Sequence, residues 1–167
     1  MRFLLFVGYP RSGHSVVGSC LDAHPNCIIS SELDALRRVM EGVTRKRLYQ
    51  AIMSNSMTNA GHRMSDQYDF TVAGQGEYTD LLVIGDKKGG RTAWVLRDHP
   101  QMLEHFANVV APDELMLLHM VRNPFDNIAR MSLRDKKPLR LSAEEYFRRC
   151  EAISWLKTVP LPMLEMK

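Results

Sequence analysis

The residues best suited to chemistry stand near the start of the sequence, where residues 8–15 read GYPRSGHS directly after the apolar run FLLFV. The glycines and the final serine have the spacing of the phosphate-binding loop G-x-x-x-x-G-K-[ST], but His14 occupies the position of the lysine. Backbone N–H groups, the positive end of the following helix and the hydroxyls of Ser12 and Ser15 can hold an anion. Arg11 can supply the missing cation. The segment therefore predicts an anion-binding loop that lacks the usual lysine.

Two other polar segments also follow apolar runs. GDKKGG at residues 85–90 follows LLVI, and RNPFDN at residues 122–127 follows LMLLHMV. In parallel α/β sheets, ligands bind where the carboxyl ends of strands lead into helices. We therefore expect both segments and the glycine loop to meet at one edge of a sheet.

The hydrophobic pattern supplies the elements that such a site needs. Apolar runs, typical of strands covered on both faces, occupy residues 3–7, 27–29, 81–84 and 115–121, and only the last contains a polar residue, His119. Helical spacing follows these runs at 16–21, 33–40, 44–53 and 100–110. The alternation predicts an α/β domain with a mostly parallel central sheet flanked by helices.

Two later helices are predicted from their start signals. Asn123 can cap a helix whose first residue is Pro124, with Asp126 completing the start. SAEE at residues 142–145 resembles a capping box and predicts a second helix start. In that helix the side chains expected to face inward are Tyr146, Phe147, Cys150 and Ile153. In the first predicted helix, at residues 16–21, the side chains expected to share one face are Val16, Val17, Cys20 and Leu21.

Length and composition favour one domain, residues 1–167, around a single core. Apolar residues make up 45% and charged residues 25%, which is near the average for globular proteins and argues against disorder or a fibrous repeat. The net charge of +3 is spread along the chain, so no nucleic-acid partner is expected. No apolar run approaches the roughly 20 residues of a membrane span. Three cysteines without C-x-x-C spacing favour a reduced compartment, and we expect a cytoplasmic location.

Residues 54–80 form a long polar, glycine-containing stretch. Connections of this length are uncommon in compact domains unless they carry function or move. We expect a lid or a substrate-facing segment here.

Four segments together resemble the sulfotransferase superfamily. They are PRSGHS, LDAHP with the following SEL, GDK, and VRNPFDNI, and in the family's order they span residues 3 to about 134. PRSG with LDAHP is most similar to tyrosylprotein sulfotransferases and related bacterial enzymes. The resemblance implies a P-loop-like three-layer domain that uses 3′-phosphoadenosine 5′-phosphosulfate (PAPS) and releases 3′-phosphoadenosine 5′-phosphate (PAP). The implied reaction is in-line sulfuryl transfer to a hydroxyl or amine of a small-molecule, peptide or glycan acceptor.

The resemblance also implies which residues bind the donor. The 5′-phosphosulfate loop corresponds to Pro10, Arg11, Ser12, Gly13, His14 and Ser15. Arg122 matches the arginine that grips the 3′-phosphate. The family's serine eight residues later is Arg130 here, with Ser132 two residues further on, so Arg130 or Ser132 would make the second contact. His14 stands where threonine is common.

Catalytic roles fall on three residues. Glu32 matches the base of the tyrosylprotein branch, and its alternative role is to favour the start of the helix that follows. Lys87 would steady the transferring sulfuryl group, or else be a solvated lysine in a turn, and Arg11 would stabilise charge on the 5′-phosphate. His24 is a rival base. No metal is expected, because arginine, lysine and backbone N–H groups can neutralise the developing charge.

Two alternatives stay open. Asp86 ends a strand-like run as the Mg²⁺-holding aspartate of P-loop kinases and NTPases does, although the missing lysine argues against that function. A nucleotide-binding module without catalysis is the other alternative. The family's C-terminal glycine- and lysine-rich loop has no counterpart in the final VPLPMLEMK, so the chain is expected to be either a fragment or a compact member.

Overall fold

A five-stranded parallel sheet runs through the centre of the computed structural model, which describes residues 1–60, 64–65 and 68–167. Seven strands occur in these residues: β1 Arg2–Gly8, β2 Cys27–Ser31, β3 Met64–Ser65, β4 Tyr68–Asp69, β5 Val83–Lys87, β6 Glu114–Met120 and β7 Met163–Met166. The central sheet has the order β2-β5-β1-β6-β7 and all of its pairings are parallel. β3 and β4 form a separate antiparallel pair.

Helices connect the parallel strands. They are α1 His14–Asp22, α2 Ala35–Met40, α3 Arg45–Asn59, α4 Gly89–Asp98, α5 Gln101–Val110, α6 Pro124–Asp135 and α7 Leu139–Leu156. The predicted α/β class with a parallel sheet is confirmed.

Both faces of β1 are buried, as its uninterrupted apolar run predicts. Leu4 and Phe6 belong to a cluster on the side of α1, and alternate residues of the strand belong to the larger core. That core includes side chains of α4, α5 and α7, among them Ala93, Phe106 and Ile153. Helices cover the central strand from both sides, which gives the three layers of a P-loop-like fold.

The strand order places a crevice beside β1. From β1 the chain passes through α1 to β2 at one edge, whereas β6 is followed by α6, α7 and then β7 at the other edge. Ligands of open α/β sheets bind at such a point, outside the carboxyl ends of the strands. The glycine loop follows β1, and the segment RNPFDN follows β6 after Val121.

The stripe predicted for α1 is partly wrong, because Val16 and Cys20 are exposed. The buried side of α1 instead carries the small residues Gly18 and Ser19. A Cβ on Gly18 would lie 3.3 Å from Cγ of Lys87, so a larger side chain would crowd that lysine. Small residues let α1 approach the sheet closely.

The predicted start of α6 is confirmed, whereas the predicted start of α7 is wrong. Oδ1 of Asn123 accepts the backbone N–H of Phe125 at 2.9 Å, and Pro124 is the first residue of α6. α7 begins three residues before the supposed cap, at Leu139 after Pro138, so Ser142 lies buried inside the helix. A proline directly before the first turn lacks an N–H that the helix would leave unpaired.

The buried face of α7 also differs from the prediction. Phe147 was expected to face inward but is 62% exposed, while Tyr146 and Ile153 are buried. Four elements were not predicted. They are the two-residue strands β3 and β4, the helix α4, whose sequence starts with two glycines, and the short, largely exposed edge strand β7.

The polar stretch at residues 54–80 is partly structured. α3 continues through Asn59, and Gln75 and Gly76 are attached to the end of α1 by hydrogen bonds to the carbonyl of Ser19 and the carboxylate of Asp22. The predicted lid also includes residues 61–63 and 66–67, which lie outside the described residues, and it stays a prediction.

Within the described part of the chain, no helix combines the length and apolar character needed to cross a membrane. Cys20, Cys27 and Cys150 are all free thiols.

Candidate functional site

A cleft of about 240 Å³ opens at the carboxyl ends of β1 and β6. The described residues that line it are Arg11, Gly13, His14, Ser15, Val16, Phe70, Arg122 and Arg130. The structure therefore brings together most of the residues predicted to bind the donor. Pro10 and Ser12 are the two that do not line the cleft.

The backbone of the glycine loop is set by unusual torsion angles. Gly8 has φ +142°, and a Cβ there would lie 2.7 Å from the carbonyl oxygen of Met120 on the neighbouring strand. Gly13 has φ +92° and Arg11 has φ +67°. A non-glycine residue in this region costs on the order of 1 kcal/mol or more, and such residues occur often at binding sites. Among the described side chains none caps α1, so its first N–H groups can receive an anion.

Ser12 lies beneath the loop. Its hydroxyl donates to the carbonyl of Tyr9 at 2.7 Å and accepts from the amide nitrogen of Asn127 at 3.1 Å. The hydroxyl is therefore part of the loop's support, whereas the expectation was that it would donate to the anion. Ser15, whose side chain faces the cleft, retains the predicted position.

His14 occupies the lysine position of a phosphate-binding loop but is packed inside the protein. Its ring lies against Phe6 and beside Gly89, and Nε2 is 3.4 Å from the carbonyl oxygen of Val7. Burial lowers the pKa of His14 to about 4, and the nearby charge of Lys87 acts in the same direction. His14 is therefore neutral near pH 7 and does not replace the lysine charge.

Positive charge in the cleft comes from arginines. Arg122 donates to the backbone carbonyl of Arg11 at 3.3 Å, and it forms an ion pair with Asp126 one turn into α6. Arg130 pairs with the other oxygen of the same carboxylate at 3.0 Å. Asp126 thus holds two guanidinium groups at the mouth of the cleft, where they can approach a multiply charged anion.

Next to the loop, two lysines hold a carboxylate. Nζ of Lys87 donates to Glu32 at 2.6 Å and lies 3.4 Å from the hydroxyl oxygen of Ser15. Nζ of Lys88 donates to the second oxygen of Glu32 at 2.7 Å. These contacts bring the candidate base and the candidate lysine to the edge of the glycine loop.

The environment of Glu32 keeps its carboxylate ionised. Burial pushes the pKa of Glu32 upward, but the charges and hydrogen bonds of Lys87 and Lys88 outweigh burial, so the pKa lies below its usual range. The Glu32 side chain is nevertheless 56% exposed, and its backbone has φ +59°. An acceptor molecule can therefore reach the carboxylate from solvent.

Asp86 precedes Lys87 but is sealed inside the protein at 1% exposure. Its carboxylate accepts hydrogen bonds from the hydroxyl of Ser30 at 2.8 Å and from the backbone N–H groups of Leu33 and Ala35 at 3.2 and 2.8 Å. Burial raises the pKa of Asp86, and these donors oppose that effect. The carboxylate fixes the turn after β2 and does not line the cleft, so the position expected of a Mg²⁺ ligand is not observed.

His24, the rival base, is exposed in the turn after α1. Its Nδ1 accepts the backbone N–H of Asn26 at 3.1 Å. The residue therefore stabilises a turn at the end of α1, whereas the cleft lies at the start of that helix.

Sequence reasoning missed four residues of this region. Lys88, Phe70, Val16 and Asn127 were not assigned to the site, yet each lines the cleft or contacts a residue that was. Lys88 and Val16 carried a signal, because each directly follows a residue assigned to the site, and Asn127 belongs to the segment RNPFDN. The role of Phe70 and the contact of Asn127 with Ser12 depend on segments far apart in sequence.

No family model matches the sequence, and no curated protein matches it. Solved structures do share its fold. One is the YorR protein from Bacillus subtilis in complex with phosphorylated GDP, with 9% identity, a TM-score of 0.51 and coverage of 99% of this chain and 85% of that one. Another is the sulfotransferase domain of the Synechococcus PCC 7002 olefin synthase, with 15% identity and a TM-score of 0.53. The alignment covers 99% of this chain and 66% of that domain. At these identities the likeness supports a P-loop-like fold.

Proposed function

We propose that the protein is a sulfotransferase that moves a sulfuryl group from PAPS to a hydroxyl or amine acceptor. The observation that carries this proposal is the chain of contacts from Ser15 through Lys87 to Glu32. It joins an anion-binding loop to a solvent-accessible carboxylate. The sulfotransferase domain that shares the fold is in accord with this function.

The cleft fits the anionic part of the donor. N–H groups at the start of α1 and the Arg11 side chain would hold the 5′-phosphosulfate, with Pro10, Ser12 and Gly13 shaping the loop. Arg122 would hold the 3′-phosphate, and Arg130 is close enough to add a second contact because both pair with Asp126. The cleft is smaller than the roughly 300 Å³ of typical ligand sites, so a nucleotide would extend beyond it onto open surface.

Lys87 and Glu32 have complementary roles in the transfer. PAPS supplies the activated sulfuryl group. Lys87, only 7% exposed and fixed against Gly18, would stabilise negative charge near the loop during transfer. Glu32 would accept the proton of the acceptor group. Lys88, at 25% exposure, is the more accessible of the two partners of Glu32, and an acceptor hydroxyl can displace it from the second oxygen. Loss of one cation raises the pKa of Glu32 and makes it a stronger base.

The proposed step balances without a further reactant. The acceptor oxygen or nitrogen forms a bond to sulfur while the bond from sulfur to the 5′-phosphate oxygen breaks. The acceptor proton passes to Glu32, and the electron pair of the broken bond leaves on PAP. Glu32 then releases the proton to solvent.

Transfer of radiolabelled sulfate from PAPS to a panel of phenols, sugars and tyrosine peptides tests the proposal. We expect label to move to at least one acceptor class, and to move far more slowly with Lys87→Ala. Tight PAP binding without transfer to any acceptor would instead favour a nucleotide-binding module without catalysis.

A nucleotide kinase is the second candidate, and the YorR structure with phosphorylated GDP is the comparison that favours it. The position of Asp86 argues against this candidate, because its oxygens are occupied by Ser30 and two backbone N–H groups. A kinase would transfer phosphate from ATP in the presence of Mg²⁺, which the same acceptor panel can detect.

A further inference from the structure

Two links connect the glycine loop to the segment that follows β6. Arg122 donates to the carbonyl of Arg11 at 3.3 Å at the surface. Below it, the amide nitrogen of Asn127 donates to the hydroxyl of Ser12 at 3.1 Å, and that hydroxyl donates to the carbonyl of Tyr9 at 2.7 Å. The second link is buried and joins α6 to the base of the loop across 115 residues of sequence.

Hydrogen-bond chemistry fixes the direction of the buried link. The carbonyl of Tyr9 can only accept, so the proton of the Ser12 hydroxyl is used there. The Ser12 oxygen must then accept from α6, and the nitrogen side of the Asn127 amide is the group that can donate. This arrangement requires a hydrogen-bond donor at position 127, which the amide supplies and a carboxylate or an alkyl group would not.

The same amide also destabilises the folded protein. Asn127 is fully buried, and its Oδ1 has no hydrogen-bond partner among the described residues. An unpaired buried carbonyl destabilises a protein by at least as much as one ordinary hydrogen bond stabilises it. An apolar side chain of the same size would therefore serve the core of α6 as well or better. The hydrogen bond that the amide donates to Ser12 in the loop explains why a polar side chain lies here.

We propose that Asn127 is a positioning residue that holds the anion-binding loop at a fixed distance from Arg122 and Arg130. Through Ser12 it anchors the loop at Tyr9, while Arg122 and Arg130 lie on the same segment as Asn127. The spacing between the loop and these guanidinium groups is then set before a ligand arrives, which lowers the cost of binding an anion that contacts both. The ligand part of this inference rests on the proposed function, whereas the effect on the loop does not.

The test compares Asn127→Leu with Ser12→Ala and with their double variant. Hydrogen exchange of the backbone N–H groups of residues 11–13 is measured in the ligand-free protein, together with thermal stability. We expect exchange of these amides to rise about five- to tenfold in Asn127→Leu while the melting temperature stays equal or increases. Because Ser12 transmits the effect, Asn127→Leu should add nothing further once Ser12 is alanine.

Ser56→Ala is the matched control. It removes another buried hydrogen bond, from Ser56 to Asp22 at the far end of α1, and should lower stability without changing exchange in the loop. A general loss of stability in Asn127→Leu with exchange raised throughout the protein would overturn the proposal, since that is the result of a merely structural role. Unchanged exchange at residues 11–13 would also overturn it.

Calorimetry with PAP then tests the ligand part. PAP affinity should fall about five- to tenfold in Asn127→Leu and should be unchanged in Ser56→Ala. If wild-type protein does not bind PAP, the proposed function fails while the exchange result still decides the role of Asn127. If PAP binds equally to wild type and Asn127→Leu, the positioning role is wrong and the proposed function is unaffected.

Discussion

Two carboxylates stand at the carboxyl ends of neighbouring strands, and their surroundings are opposite. Asp86 belongs to β5, is sealed from solvent and is held by a hydroxyl and two backbone N–H groups. Glu32 directly follows β2, is more than half exposed and is held by two lysine side chains. The backbone N–H of Glu32 donates to the carbonyl of Lys87, so the two carboxylates lie in one connected region.

These surroundings indicate a structural role for Asp86 and leave Glu32 accessible for chemistry. Donors on the backbone cannot move away, so Asp86 is fixed as a structural acceptor for the turn that precedes α2. Lys88 is the more exposed of the two lysines, so in the proposed reaction Glu32 would exchange this lysine for an acceptor group. An identical change from carboxylate to amide should therefore have different consequences at the two positions.

The largest effect is expected for Glu32→Gln in sulfate transfer. The amide keeps the size of the side chain but cannot take up the acceptor proton, so turnover should fall by roughly 10² to 10⁴. PAP affinity, measured by calorimetry, should stay the same or become slightly tighter, because a negative charge near the anion is removed. Normal turnover in Glu32→Gln would remove this residue from the mechanism.

Asp86→Asn should act on stability. An amide cannot accept from both sides as the carboxylate does, so at least one of the buried N–H groups of Leu33 and Ala35 loses its partner. We expect the free energy of unfolding to fall by roughly 3 kcal/mol in urea denaturation. This loss of unfolding free energy should exceed the loss in Glu32→Gln. Equal losses in the two variants would contradict the different roles assigned to Asp86 and Glu32.

Burial of His14 should make the stability of the protein depend on pH. His14 has its pKa lowered from 6.5 to about 4 by burial, so between these values the unfolded state binds more protons than the folded state. Stability from His14 is therefore complete above pH 6.5 and is lost as pH falls toward 4, by roughly 3 kcal/mol in total.

Urea denaturation across this pH range measures the effect. The dependence should be much weaker in His14→Phe, which removes the titrating ring. An equally steep dependence in His14→Phe would mean that another group is responsible.

The smallest of these effects concerns nucleotide selectivity. If Arg122 binds the 3′-phosphate, PAP should bind more tightly than 5′-ADP. Arg122→Ala should remove about 1.5 to 3 kcal/mol of that preference, since one charge-assisted hydrogen bond is worth that much. Titration calorimetry of both nucleotides with both proteins gives the difference. Equal affinities of the wild type for the two nucleotides would contradict this role of Arg122.

Much of the fold could be predicted because the buried strands have a clear signal. The apolar runs of β1 and β6 identify strands covered on both faces, and Asn123 with Pro124 marks the start of α6. α4 was missed because two glycines at its start usually indicate a loop, and here Gly89 adopts φ +35° against the ring of His14. β7 was missed because its side chains are largely exposed and give no core pattern.

The site was predictable in location but not in its contacts. Parallel strands place their carboxyl ends together, which brings Glu32, Lys87 and the glycine loop to one edge of the sheet. Whether a side chain there is sealed or open depends on partners distant in sequence. The hydrogen bond between Asn127 and Ser12 spans 115 residues, and the pair of Lys88 with Glu32 spans 56. A local sequence pattern predicts neither contact.

Native mass spectrometry with PAP, ADP and ATP offered together, with and without Mg²⁺, tests the central claim most directly. Arginines and backbone N–H groups provide the positive charge of the cleft, so the PAP complex should dominate and should persist after chelation with EDTA. Control spectra of Arg122→Ala should show PAP and ADP at similar levels. A dominant ATP complex that disappears with EDTA and returns with Mg²⁺ would contradict the sulfotransferase account and support the kinase.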